Sequence, residues 1–274
     1  MGKKVFVIDL SICNGCYTCQ FVCKDEHAGN DWTPVAKPQP EVGQFWVKLE
    51  EKVRGTVPKV KVAYRPHLCM HCDDAPCMAA CKVAGAKYKR EDGLVIIDPV
   101  KCTGCRNCVD ACPYKAIYFN EDLNIAQKCT GCAHLLDNGY KLPRCVEACP
   151  TDAMTFGEEP DMQDFIIGST VRMPETGLHP KVFYRNIPGR FIAGTVYDPV
   201  SKEVIIGARC RATNGGKTVE VLSDDYGDFW FKDLAKGKYD VVIEARGYEY
   251  KTFDGVDATS DVNLGDVPVE RLSE

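Results

Sequence analysis

The rhythm of apolar and polar positions changes twice along the chain. Residues 3–10 (KKVFVIDL), with Val5–Ile8 apolar, predict a strand. Residues 45–50 (FWVKLE) and 57–64 (VPKVKVAY) predict the two strands of an added hairpin, and 93–98 and 116–119 predict short strands beside cysteine-rich loops. Between about 157 and 190 the periodicity fades and Pro160, Pro174, Pro180 and Pro188 accumulate, which predicts a surface connector. From Phe191 onward the pattern becomes one of short strands, at 191–197, 207–213, 218–223, 228–232 and 238–245. In the last of these Tyr239, Val241 and Ile243 point to one face and Asp240, Val242 and Glu244 to the other, so one face can be buried. Strands at this spacing predict a small β-sandwich.

At 274 residues with 45% hydrophobic content, the chain can build two cored domains. The predicted division is 1–160, a connector 161–190, and a sandwich 191–274. A net charge of -5 with no basic block argues against a nucleic-acid partner. No stretch approaches the roughly 20 apolar residues of a membrane span. The first ten residues read as a strand, not as a signal peptide.

Cysteine use changes the picture most. Of 17 cysteines, 16 lie before residue 150 and Cys210 stands alone beyond. The 16 form four quartets. Cys13, Cys16, Cys19 and Cys23 are spaced C-x2-C-x2-C-x3-C, and Cys102, Cys105, Cys108 and Cys112 repeat that run with Pro113 following. In Cys69, Cys72, Cys77 and Cys81 the middle gap widens to four residues; in Cys129, Cys132, Cys145 and Cys149 it is twelve, with Pro150 following. Three thiolates in seven residues can bind three irons of one cubane, while a fourth on the following helix points to a neighbouring cluster. Gly15, Gly104 and Gly131 let the backbone wrap closely.

Structural zinc uses C-x2-C pairs and is the main competitor, but zinc ribbons use two such pairs, not a run of three cysteines with a fourth after x3 and a proline. A disulfide scaffold belongs to shorter secreted chains. The expected cofactors are therefore four 4Fe-4S clusters. No phosphate loop, dinucleotide glycine fingerprint or Ser-His-Asp set is found. His27, His67, His71, His134 and His179 are scattered, and read as structural or as hydrogen bonders near the clusters. Trp32, Trp46 and Tyr64 read as packing residues. Asp224, Asp225 and Asp228 fit a turn before a strand better than a calcium loop. Cys210 reads as a small core residue.

These quartets, over about 5–160, resemble the four-cluster iron-sulfur subunits of molybdopterin oxidoreductases related to dimethyl sulfoxide reductase. The resemblance implies that the first and fourth quartets exchange their last cysteines, as do the second and third. One cluster would then take Cys13, Cys16, Cys19 and Cys149, and its neighbour Cys129, Cys132, Cys145 and Cys23. The inner pair would take Cys69, Cys72, Cys77 and Cys112, and Cys102, Cys105, Cys108 and Cys81. The segment SDDYGDFWF (223–231), with Leu234, Gly237 and Tyr239, resembles transthyretin-like or carboxypeptidase-regulatory-like immunoglobulin-type modules. The implied fold class is α+β: two ferredoxin-like halves with an added β-hairpin, then an all-β sandwich.

A narrower likeness, to the small subunits of pyrogallol-phloroglucinol transhydroxylases, is carried by YRPHLCMHC (64–72), YKREDGLV (88–95), QKCTGCAHLLD (127–137), PRC (143–145) and PKVFYRN (180–186). Those small subunits have three clusters and a degraded third motif, whereas Cys102, Cys105, Cys108 and Cys112 are all present here. The resemblance implies a non-catalytic electron-transfer subunit with a large partner. That partner would hold molybdopterin guanine dinucleotide with Mo or W and act on a phenolic or similar small organic substrate as hydroxylase, dehydroxylase or transhydroxylase. An external electron donor or acceptor is expected. The alternative is a free-standing polyferredoxin with a sandwich interaction module. The expected location is cytoplasmic, or periplasmic through co-export with a signal-bearing partner.

Overall fold

The computed structural model describes residues 2–273. The chain divides into two compact units. The first runs through Glu51 and adds Tyr64–Ile187; the second combines Lys52–Ala63 with the chain from Pro188 onward.

The first unit is built around a four-stranded sheet in the order Met154–Glu158, Lys4–Asp9, Val182–Arg185, Thr170–Val171. Lys4–Asp9 lies antiparallel to Met154–Glu158 and parallel to Val182–Arg185. The apolar run foreseen near the N-terminus is fully enclosed, with Val5, Phe6, Val7 and Ile8 each at most 1% exposed. Two small hairpins follow, Lys87–Lys89 with Val95–Ile97 and Tyr118–Asn120 with Ile125–Gln127. Short helices at Thr18–His27, Pro76–Ala79, Asn107–Asp110, Ala133–Asp137 and Arg144–Glu147 carry or adjoin the cysteines.

The stretch 161–190 is not the plain connector that its prolines predict. Val182–Arg185 is a strand of the central sheet, with Val182 and Tyr184 buried and the Tyr184 hydroxyl donating to the carbonyl of Pro66. Four residues are too few for alternation to stand out between Pro180 and Pro188, and only the register with Lys4–Asp9 explains their burial. The added hairpin is present as Lys48–Thr56 and Lys59–His67, about three residues later than foreseen, turning at Val57 and Pro58.

In the second unit, one sheet orders Asp228–Leu234, Arg190–Tyr197 and Val262–Pro268; the other orders Lys217–Leu222, Arg209–Asn214, Lys238–Glu244 and Lys251–Asp257. Ile192, Val196, Phe229 and Phe231 from the first meet Cys210, Ala212, Val241 and Ile243 from the second in one core, which makes the unit a β-sandwich. Hairpin residues 52–63 are anchored within this unit. Arg54 grips Asp261 through two nitrogens at 2.9 and 2.7 Å, and Lys59 pairs with Asp228. Asp224 accepts from the backbone N–H groups of Tyr226 and Asp228, as the turn reading of that acidic stretch requires.

Candidate metal centres

Each quartet opens on the same backbone device. The residue before the second cysteine is left-handed in all four loops: Gly15 (φ 76°), His71 (φ 44°), Gly104 (φ 73°) and Gly131 (φ 65°). Tyr17 (φ 62°) and Arg106 (φ 61°) then repeat a left-handed turn just before the helices that carry Cys19 and Cys108. These reversals curl each loop, and in the fourth they turn an amide toward sulfur. The Gly131 N–H donates to Cys129 Sγ at 3.4 Å. Only glycine adopts such angles freely, so His71 in the second loop marks a position held by its surroundings. Its ring is fully buried and its Nδ1 accepts from the Val95 N–H at 3.0 Å. Comparing CMHC with CNGC, CTGC and CTGC exposes this exception in the sequence.

The last cysteine of each quartet lies on or just after a short helix, and the helices pack in pairs. Thr18–His27 packs on Arg144–Glu147, and Pro76–Ala79 on Asn107–Asp110. The first and fourth quartets thus meet, as do the second and third. Cys112 lines a cavity with Cys69, Cys72 and Cys77, and Cys81 lines another with Cys102, Cys105 and Cys108.

Thiol electrostatics describe the remaining neighbourhoods. Burial pushes Cys19 up to about 12, with the nearby Cys13, Cys16 and Cys149 thiols adding to the rise. Burial drives Cys23 well up, and its next contributors are Cys129 and Cys132 rather than its own sequence neighbours. Cys145 is likewise raised by burial and then by Cys132, Cys129 and Cys23. Cys72 rises to about 12 through burial and the proximity of Cys69, Cys77 and Cys112. Thiols so crowded and buried ionise together only against strong positive charge, which bound iron provides. Among the described residues, no three His, Cys, Asp or Glu side chains converge as ligands of one metal ion would. The thiols of the second and third quartets ring cavities instead, which suits a multi-iron group better than a single zinc. Cys210 joins no such group and sits in the sandwich core.

The histidines are tied into the protein. His134 Nε2 lies 2.9 Å from Glu26 and its ring stacks on Trp32 at 4.4 Å; His27 packs against Trp46 at 4.5 Å. His67 is 3.0 Å from Arg172, which also holds Glu50. Burial, then the neighbouring His134, pushes His27 down to about 3; burial, then Arg172, takes His67 down to about 4. Both rings are uncharged at neutral pH. Two buried lysines near the cysteines, Lys87 and Lys128, carry no motif that announces them. Lys128 donates to the carbonyls of Val95 and Cys129.

Residues 60–159 match the 4Fe-4S dicluster domain family, and residues 192–268 the carboxypeptidase regulatory-like domain family. The sequence is 38% identical to the pyrogallol hydroxytransferase small subunit of Pelobacter acidigallici, over 97% of this chain and 98% of that one. It is 37% identical to the B component of tetrathionate reductase from Salmonella typhimurium, over 69% of this chain and 75% of the relative. It is 38% identical to the B component of anaerobic dimethyl sulfoxide reductase from Escherichia coli, over 50% of this chain and 64% of the relative. No helix among the described residues is long and apolar enough to cross a membrane.

Proposed function

The chain therefore belongs to the iron-sulfur subunits of the molybdopterin oxidoreductases, and we propose that within this family it binds four 4Fe-4S clusters and relays electrons to or from a separate catalytic subunit. We assign one cluster to Cys13, Cys16, Cys19 and Cys149 and its neighbour to Cys23, Cys129, Cys132 and Cys145. The other two take Cys69, Cys72, Cys77 and Cys112, and Cys81, Cys102, Cys105 and Cys108. The 1–187 region then reads as two ferredoxin-like halves, each with two clusters.

The observation that supports this reading is the pairwise packing of the cysteine-bearing helices, together with Cys112 on the cavity of Cys69, Cys72 and Cys77 and Cys81 on that of Cys102, Cys105 and Cys108. When bound, each cluster supplies a one-electron carrier. The chain's own residues fix the thiols, turn backbone N–H groups toward sulfur, and shield the centres with apolar side chains such as Ile97 and Ile117. The partner is a large subunit holding molybdopterin guanine dinucleotide with Mo or W, and its substrate a phenolic or similar small organic molecule. The complex resides in the cytoplasm.

Anaerobic co-purification tests the reading. The preparation should contain a larger chain with Mo or W and about sixteen irons, with matching acid-labile sulfide, per copy of this chain. A zinc-dominated preparation without broad visible absorbance would refute it.

A further inference from the structure

Four lysines of the described residues are buried: Lys59, Lys87, Lys128 and Lys181. Three have partners. Lys59 pairs with Asp228, Lys181 with Asp73 and Glu159, and Lys128 donates to two carbonyls. Lys87 is the exception: it is 8% exposed and its Nζ has no hydrogen-bond partner in the protein. A buried ammonium without a partner is costly, and it persists only where something supplies the missing negative charge.

The surroundings of Lys87 show what that is. Its backbone pairs with Ile97 in the hairpin before the third quartet, and its side chain lines the cavity bounded by Cys81, Cys102, Cys105 and Cys108. Lys87 and Cys108 line this one cavity, with no carboxylate among its lining residues. Val83, Ala86, Ile97 and Ala126 give the cavity an apolar side around the buried Lys87, while Cys105 and Arg106 form its exposed side.

We propose that Lys87 is a potential-tuning residue, its buried ammonium facing the cluster held by Cys81, Cys102, Cys105 and Cys108 and raising that cluster's reduction potential. Reduction adds one negative charge to an anionic centre, and a fixed positive charge beside it stabilises the reduced state more than the oxidised one. The other buried lysine near the cysteines, Lys128, is bonded to the carbonyls of Val95 and Cys129 and so lies by a different centre. This role rests on the four-cluster reading above.

Redox titration of the intact complex, followed by electron paramagnetic resonance, tests it. Cys105→Ser first identifies the signal belonging to this centre. Lys87→Met should shift the reduction equilibrium of that signal by about tenfold toward the oxidised form, roughly 59 mV for one electron. The other signals should stay in place, and Lys87→Arg should keep the centre within about threefold of the parent, because the charge is retained. An unmoved signal in Lys87→Met, or an equal shift of every centre, overturns the proposal. If Lys87→Met does not assemble the centre, Lys87→Gln carries the same measurement, with a shift supporting the proposal and no shift overturning it. If Cys105→Ser alters no signal, no cluster is held there, and the four-cluster reading falls together with the role of Lys87.

Discussion

The ring of Tyr64 closes over Gly15 in the first cysteine loop, so that a methyl group at residue 15 would meet its carbons at 2.5 Å. Gly15 also has φ 76°, which costs an L-residue roughly 1–2 kcal/mol. Gly15→Ala should therefore lower iron content by about one cluster of four irons. Adding Tyr64→Ala removes the clash but not the backbone strain, and should restore only part of that iron. An iron assay showing full occupancy in Gly15→Ala would mean that the loop relaxes freely.

Cys23→Ser should disturb the centre formed with Cys129, Cys132 and Cys145 more than the one formed by its sequence neighbours. The helix that carries Cys23, Thr18–His27, packs on Arg144–Glu147, which carries Cys145. Spectroscopy of the variant distinguishes the two. A change confined to the Cys13, Cys16 and Cys19 centre would make each quartet self-contained.

The cysteine runs were legible because the chemistry fixes both residue type and spacing, and no apolar pattern can mimic it. The first five sandwich strands were legible too, since residues such as Tyr239, Val241 and Ile243 alternate cleanly into the core. Lys251–Asp257 and Val262–Pro268 were not foreseen. Gly255 and Asp254 interrupt the first, and the second contains Gly265 and pairs with Arg190–Tyr197 across a register shift. Lys87 was invisible for another reason: nothing local distinguishes a lysine aimed at a buried cavity from one in solvent.

Chain length separates the two units. A chain ending at Ile187 keeps Val182–Arg185 in the central sheet and should retain its clusters. One ending at Pro160 loses the parallel partner of Lys4–Asp9 and the buried Val182 and Tyr184, and should lose iron or aggregate. Iron content and sedimentation of the two chains check this. Equal behaviour would show that the strand is dispensable.

Acid should loosen the sandwich. Burial raises the Asp261 carboxyl, but hydrogen bonds from Arg54 and the Phe191 N–H outweigh it and hold the group below its ordinary value of 3.8. A depressed folded-state value contributes stability above the ordinary value and loses it as pH falls through the folded one. The melting temperature should thus decline as pH drops below about 4. At neutral pH Arg54→Ala leaves the half-buried Asp261 with the Phe191 N–H but no guanidinium, and should cost about 1–3 kcal/mol. Calorimetry that finds Arg54→Ala as stable as the parent would show that this ion pair does not anchor the hairpin residues.

The last prediction concerns what the electrons are for. A relative 38% identical over nearly the whole chain is a hydroxytransferase small subunit, and a hydroxyl transfer between two molecules is balanced in electrons. Such a reaction has no use for a route that carries electrons away. Here Cys102, Cys105, Cys108 and Cys112 are all present, and Cys81 lies at the cavity of the first three. Thiols suited to every centre of a continuous relay favour a reaction that gains or loses electrons, a hydroxylation or a reductive dehydroxylation of a phenolic substrate. Turnover by the purified complex should depend on an added electron donor or acceptor, and the visible iron-sulfur absorbance should change when substrate alone is supplied. Conversion at full rate with no external redox partner and unchanged spectra would identify balanced hydroxyl transfer as the reaction, and would leave the third quartet a structural role only.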